Sequence, residues 1–189
     1  MSGSYISWGA ILAGAAVTCA ISAVLLHFGA AIGLTGSTQY RVDEVVKAGA
    51  VVTVGIWIVW VQILSSLAGG YLAGRMRTPV TGTNNHEREV RDGIHGLVVW
   101  AVATLAVVVG ATLVSTLASL APVDTTAAKS AAEAAENILH NHKNAAIIFA
   151  FLTASGSLVS GVASWWSATK GGDHRDNQID LGRHLSFQK

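Results

Sequence analysis

Four long apolar segments, at about residues 6–34, 45–74, 93–121 and 145–169, constrain this chain more than anything else in it. Lys47 is the one Lys, Arg, Asp or Glu that falls inside them. Roughly 20 apolar residues suffice to cross the hydrocarbon of a bilayer as a helix, and each segment exceeds that. The chain as a whole is 51% hydrophobic and only 12% charged, whereas soluble domains carry about 25% charged residues. Its mean hydropathy is +0.49. The expected fold class is therefore an all-α integral membrane protein with four transmembrane helices. Helices one–two and three–four form a weak tandem repeat of hairpins. Each hairpin closes on a small-residue helix that ends in a basic residue, Arg75 or Lys170.

The first segment lacks the basic start and short apolar core of a secretory signal, so it is expected to remain as an uncleaved helix. Small residues then repeat at helical spacing. Ala10, Gly14, Thr18 and Ser22 recur every four residues, and Gly29–Gly33 and Gly70–Gly74 are GxxxG pairs. Gly156–Ser160 and Ser157–Gly161 continue the pattern in the fourth helix. Small residues let helix backbones approach closely in lipid. These stripes predict docking faces for other helices, and they motivate association with further copies or with other subunits. A net charge of +1 gives no reason to expect a nucleic-acid partner. The single cysteine, Cys19, excludes an intrachain disulfide and a cysteine-based metal site.

Polar residues inside the apolar segments are few. His27 reads either as a proton-relay or haem ligand or, preferably, as a neutral histidine bonded to a neighbouring helix. No second histidine at a matching depth supports haem. Gln62 reads as an interhelical hydrogen-bonding group. Trp57 and Trp60 beside it read as bulky packing, with an aromatic wall of a pore or quinone-like pocket as the alternative. Between helices two and three lies a charged turn. There Asn84 and Glu87 have the spacing of a capping box, and Glu87–Arg91 and Arg88–Asp92 are pairs of opposite charge one turn apart. A short surface helix is expected to lead into the third membrane helix. Asp92 and His95 at that helix start, with Arg75 opposite, form an expected polar cluster. A structural clamp between helices two and three is the preferred reading, a substrate site the alternative. After Pro122, an amphipathic helix is expected at about residues 125–140. Glu136, His140 and His142 near its end could ligate a metal, but their spacing is permissive rather than specific, and neither metal nor cofactor is expected. Residues 171–189 read as a polar tail.

Lys and Arg set orientation. Four lie in the turn (Arg75, Arg77, Arg88, Arg91) and four follow the last helix (Lys170, Arg175, Arg183, Lys189). The other two loops hold two each, Arg41 with Lys47 and Lys129 with Lys143. This places both termini and the charged turn in the cytoplasm.

Three patches carry a family resemblance: Ser7-Trp8-Gly9-Ala10-Ile11 with Ala13-Gly14, Gly69-Gly70-Tyr71-Leu72-Ala73-Gly74-Arg75, and Arg91-Asp92-Gly93-Ile94-His95-Gly96 with Trp100-Ala101. With them the chain resembles a group of small bacterial inner-membrane proteins labelled "PhnA-like". The resemblance covers helices one to three. It implies a multi-pass inner-membrane fold and, because that group has no established activity, transfers no catalytic residues. In the sequence no nucleophile–base pair, phosphate loop or matched histidines suggest an enzyme. The expected function is non-enzymatic: association in the bilayer as a homo-oligomer or as an accessory subunit of a larger membrane complex. The alternative is a small oligomeric channel or transporter, with His27, Gln62 and His95 along a path.

Overall fold

The computed structural model describes residues 6–32, 44–79, 82, 84–120 and 143–177. These form an all-α bundle of four helices: α1 (Trp8–Ala31), α2 (Glu44–Met76), α3 (Asn85–Leu120) and α4 (Lys143–Asp176). They run alternately up and down, so α1 and α3 begin, and α2 and α4 end, at one end of the bundle. The expected amphipathic helix, with Glu136, His140 and His142, lies outside the described residues, as does Gly33.

Each helix carries an apolar stretch long enough to cross a bilayer. The packing is consistent with that environment because it inverts the pattern of a water-soluble bundle. Small and hydroxylated side chains are inside, among them Ala10, Ala73, Ala168, Ser65, Ser160 and Ser164. Large apolar ones such as Leu12, Phe28, Ile147, Phe151, Leu158 and Val162 face outward. Water would reward burying the second set. In lipid the tails already solvate them, and close backbone packing holds the helices instead.

The close approaches are between named glycines and their neighbours. A Cβ on Gly14 would lie 2.6 Å from the Gly69 carbonyl oxygen and 2.9 Å from Val99, so α1 seats on both α2 and α3. A Cβ on Gly70 would lie 2.5 Å from the Ser164 carbonyl oxygen, and one on Gly74 would overlap the Ala168 backbone. Hence α2 and α4 form the most extensive pairing in the bundle. They are the second helices of the two hairpins. Gly156 meets Val59 and Gln62, Gly161 meets Trp100, and Gly29 meets the Trp57 indole. A small apolar cluster of Ile11, Ala15, Ala73, Val99 and Ala103 fills the junction of α1, α2 and α3.

Pro79 lies just past the end of α2, and Gly82 adopts a positive φ of 85°, which only glycine takes without strain. The Arg88 N–H then bonds the Asn84 carbonyl at 3.1 Å, which puts Asn84 at the N-cap of α3. The expected surface helix runs into the third membrane helix as one continuous α3. One boundary differs from the sequence reading. Helix α4 passes through Gly171–Gly172 to Asp176, so the stretch read as the start of the polar tail is helical. At about 1.5 Å per residue, the 34 residues of α4 span about 51 Å, well beyond the ~30 Å of hydrocarbon.

Candidate functional site

Two places gather the polar chemistry of the bundle. The first is a buried charge node where α2 and α4 end. Asp92 is at its centre, 2% exposed. Arg77 Nε donates to Asp92 Oδ1. Arg175 donates from Nη2 to Oδ2 at 3.3 Å and from Nη1 to Oδ1 at 3.4 Å. The same Nη1 reaches the carbonyls of Gly74 at 2.7 Å and Arg77 at 3.1 Å. Those carbonyls lie at the α2 C-terminus, where the helix leaves acceptors unsatisfied and its dipole favours a cation. Arg175 Nε also bonds Asp176, which lies 3.6 Å from Arg88. The carboxylate fits because Gly172 has no side chain; a Cβ there would overlap it.

Of the predicted cluster, Asp92 and His95 are both buried, one turn apart on α3. The guanidinium groups on Asp92 belong to Arg77 and Arg175, whereas Arg75 was the predicted partner. Nor does a helix start stabilise Asp92. Since α3 begins at Asn85, the carboxylate lies beyond the first turn, and its compensation comes from the two arginines. His95 is oriented by backbone rather than by Asp92. Its Nδ1 bonds the Arg91 carbonyl at 2.7 Å, so it carries the proton. Its Nε2 is then free to accept the Ser7 N–H at 3.0 Å. Ser7 caps α1 without a side-chain bond of its own, so His95 ties the start of α1 to α3. His95→Ala is expected to cost about 1–3 kcal/mol, the range for a buried partner left unbonded. Deuterium uptake should rise in peptides covering residues 6–12 and stay unchanged in α4. A variant with wild-type protection at residues 6–12 would remove the tie.

The second place is a cleft of about 290 Å³ at mid-depth, lined by all four helices. Thr18, Val61, Ser65 and Ala103 are buried at its floor, while Leu26, Thr104, Val107 and Val108 are exposed at its mouth. Gln62 and Trp100 form part of the wall. Among the described residues no Lys, Arg, Asp, Glu or His lines it. Trp57 packs on Gly29 and on Phe28, with ring centroids 6.2 Å apart, and Trp60 faces outward. Neither lines the cleft.

His27 is exposed on the outside of α1, with Nδ1 bonded to the Ala23 carbonyl at 2.7 Å. His95 is in the node and Gln62 in the cleft. The structure therefore does not bring His27, Gln62 and His95 onto one path. Among the described residues no three His, Cys, Asp or Glu side chains are grouped to hold a metal. Arg175 was absent from the sequence-derived cluster because Gly171–Gly172 reads as a stop. The signal that could have found it is register: Lys170, Asp173 and Asp176 continue at helical spacing beyond those glycines.

No protein-family model matches the chain, and no curated protein or solved structure is detectably similar to it. The class that fold and site define is thus a four-helix bundle with membrane-spanning character, clamped by a buried charge node.

Proposed function

We propose that the chain is a non-enzymatic, multi-pass protein of a bacterial inner membrane, with the charge node on the cytoplasmic side. It acts by association, as an accessory or structural subunit or as a homo-oligomer. The Lys/Arg distribution supports the orientation, and the resemblance to the PhnA-like membrane proteins supports the compartment. The charged groups of the node are engaged with one another and with helix ends, as a clamp requires.

One observation carries the association. The predicted small-residue stripes that fall on described residues are occupied within the chain, so they do not supply the outer contact. The outer half of α3 does. From Thr104 to Val114 its residues are exposed around the whole helix, apart from half-buried Gly110, and a Cβ on Gly110 would meet nothing within 4 Å. Beyond the cleft mouth at Thr104, Val107 and Val108, this exposed stretch offers a face, with Gly110 for close approach, to a helix of another subunit.

The native mass in nanodiscs prepared from the original host tests this. Co-migration with other polypeptides is expected for an accessory subunit, and a multiple of 19.5 kDa for a homo-oligomer. Gly110→Leu should shift either species toward the single chain. A single chain in the unmodified protein would overturn the association reading.

A further inference from the structure

The wall of the mid-depth cleft carries two kinds of hydroxyl. Those of Thr18, Ser65, Thr104 and Ser160 donate to backbone carbonyls of their own helices: Gly14 at 3.0 Å, Val61 at 2.7 Å, Trp100 at 2.8 Å and Ser157 at 2.7 Å. Ser160 Oγ also accepts the Trp100 indole N–H at 3.1 Å. The hydroxyls of Ser22, Ser66 and Ser157 line the same cleft, from α1, α2 and α4, and have no hydrogen-bond partner among the described residues. Ser22 and Ser157 are half-buried. Ser66 is 3% exposed, and its oxygen keeps accessible surface, whereas Gln62 Oε1 is shut against Gly156 and out of reach from the cleft.

A helical serine commonly satisfies its O–H on the carbonyl one turn back. For Ser66 that carbonyl is already shared, since Ser65 Oγ approaches the Gln62 carbonyl oxygen at 3.3 Å. O–H groups without acceptors in an apolar wall are strongly disfavoured. Donors left without acceptors are also rarer in folded proteins than acceptors left without donors. What the cleft lacks is therefore an acceptor. A carboxylate or phosphate would supply one, but among the described residues no charged side chain lines the wall to compensate its lost water. An uncharged carbonyl oxygen, with two lone pairs, meets the need without that cost. The volume of about 290 Å³ is close to the lower limit for small-molecule sites, about 300–1,000 Å³. It has room for a head and the first part of a chain. Leu26, Val107 and Val108 line the mouth between α1 and α3, which offers an apolar exit toward lipid.

We propose that the cleft binds the carbonyl group of an uncharged, lipid-soluble molecule. The donors are drawn from the hydroxyls of Ser22, Ser66 and Ser157, and the apolar body leaves between α1 and α3 into the bilayer. The site does not depend on association through α3, because every lining residue belongs to this chain.

The test is photolabelling of the full chain in nanodiscs of ether-linked lipids, where the probe brings the one lipid-soluble carbonyl. The probe is a sixteen-carbon methyl ketone with a diazirine near the carbonyl, set against the hydrocarbon in which a methylene replaces that carbonyl. Adducts are mapped by mass spectrometry. The ketone is expected to label residues 58–66, 100–108 and 157–160 about tenfold more than the hydrocarbon, as for one buried hydrogen bond gained or lost. Ser22→Ala, Ser66→Ala and Ser157→Ala combined in one chain should reduce the ketone to the level of the hydrocarbon. Each change removes a hydroxyl that has no partner to lose, so the midpoint of unfolding should not fall. Repeating the labelling in ester-linked lipids distinguishes the source of the carbonyl. Undiminished labelling supports a free lipid-soluble ligand, and suppressed labelling supports the ester of a bilayer lipid in the same cleft. Equal labelling by ketone and hydrocarbon in the ether-linked lipids would mean that water already satisfies the hydroxyls, and would overturn the proposal. So would ketone labelling that the triple alanine variant leaves intact, or no labelling in the cleft.

Discussion

Asp92→Ala is expected to destabilise the bundle by about 3–5 kcal/mol, the range for breaking one side of a buried ion pair. The measurement is the midpoint of unfolding in mixed detergent as the SDS fraction rises. The size follows from what remains. Arg77 and Arg175 keep their charges, their side chains are 2% and 9% exposed, and they now face each other across an empty position. Arg175 retains the carbonyls of Gly74 and Arg77 and the carboxylate of Asp176. Arg77 loses its ion-pair partner. The double variant Arg77→Met with Asp92→Leu should therefore recover much of the loss, because a buried pair replaced by apolar residues of similar volume is often neutral. A double-mutant cycle isolates that coupling. A loss below about 1 kcal/mol for Asp92→Ala, the scale of a solvated surface pair, would mean that water reaches the node and that it is not the clamp.

The helices, and their fitness to cross a bilayer, were legible because length and apolarity are local properties. The four apolar segments map onto α1 to α4 without reference to packing. Gly14, Gly70 and Gly74 were legible as sites of close approach, but not the identity of the approaching helix. A small-residue stripe reports that a backbone comes near and is silent on whether it belongs to the same chain. Arg77 was more legible than the reading made it. Gly70, Gly74 and Arg77 follow at i, i+4 and i+7 and share one helix face, the one that meets α4. Arg75 is two positions before Arg77, on another side of the helix. The end of α4 was hidden for a physical reason. A Gly-Gly pair is a poor helix former in water, yet here both positions need it, since Gly171 lies on the Tyr71 carbonyl and Gly172 on the Asp92 carboxylate. Such a requirement is set by neighbours about a hundred residues away in the chain, so local sequence reads it as a stop.

The same close approach sets the second large effect. Gly74→Leu is expected to destabilise the bundle by about 3 kcal/mol, the upper part of the overpacking range. Overpacking is usually relieved when a side chain turns aside, but the atoms facing Gly74 are the carbonyl, carbonyl carbon and Cα of Ala168. Backbone cannot rotate away, so α2 and α4 must separate. Three contacts go with that separation. Gly70 loses its seat on Ser164, Tyr71 loses His174, 3.0 Å away, and Arg175 loses the Gly74 carbonyl. The last turn of α4 should then fray, and Arg175, whose side chain is only 9% exposed in the intact bundle, should become a site of rapid trypsin cleavage. Gly74→Ala should give a smaller change in the same direction, because even one methyl group meets that backbone. Gly9→Leu supplies the comparison, since a Cβ there meets nothing within 4 Å. Leucine is a better helix former than glycine by about 1 kcal/mol or less, so Gly9→Leu should be neutral or slightly stabilising. The contrast between the two identical substitutions separates space from propensity. If both move the unfolding midpoint equally, and trypsin still spares Arg175, the α2–α4 contact is not what holds the bundle together.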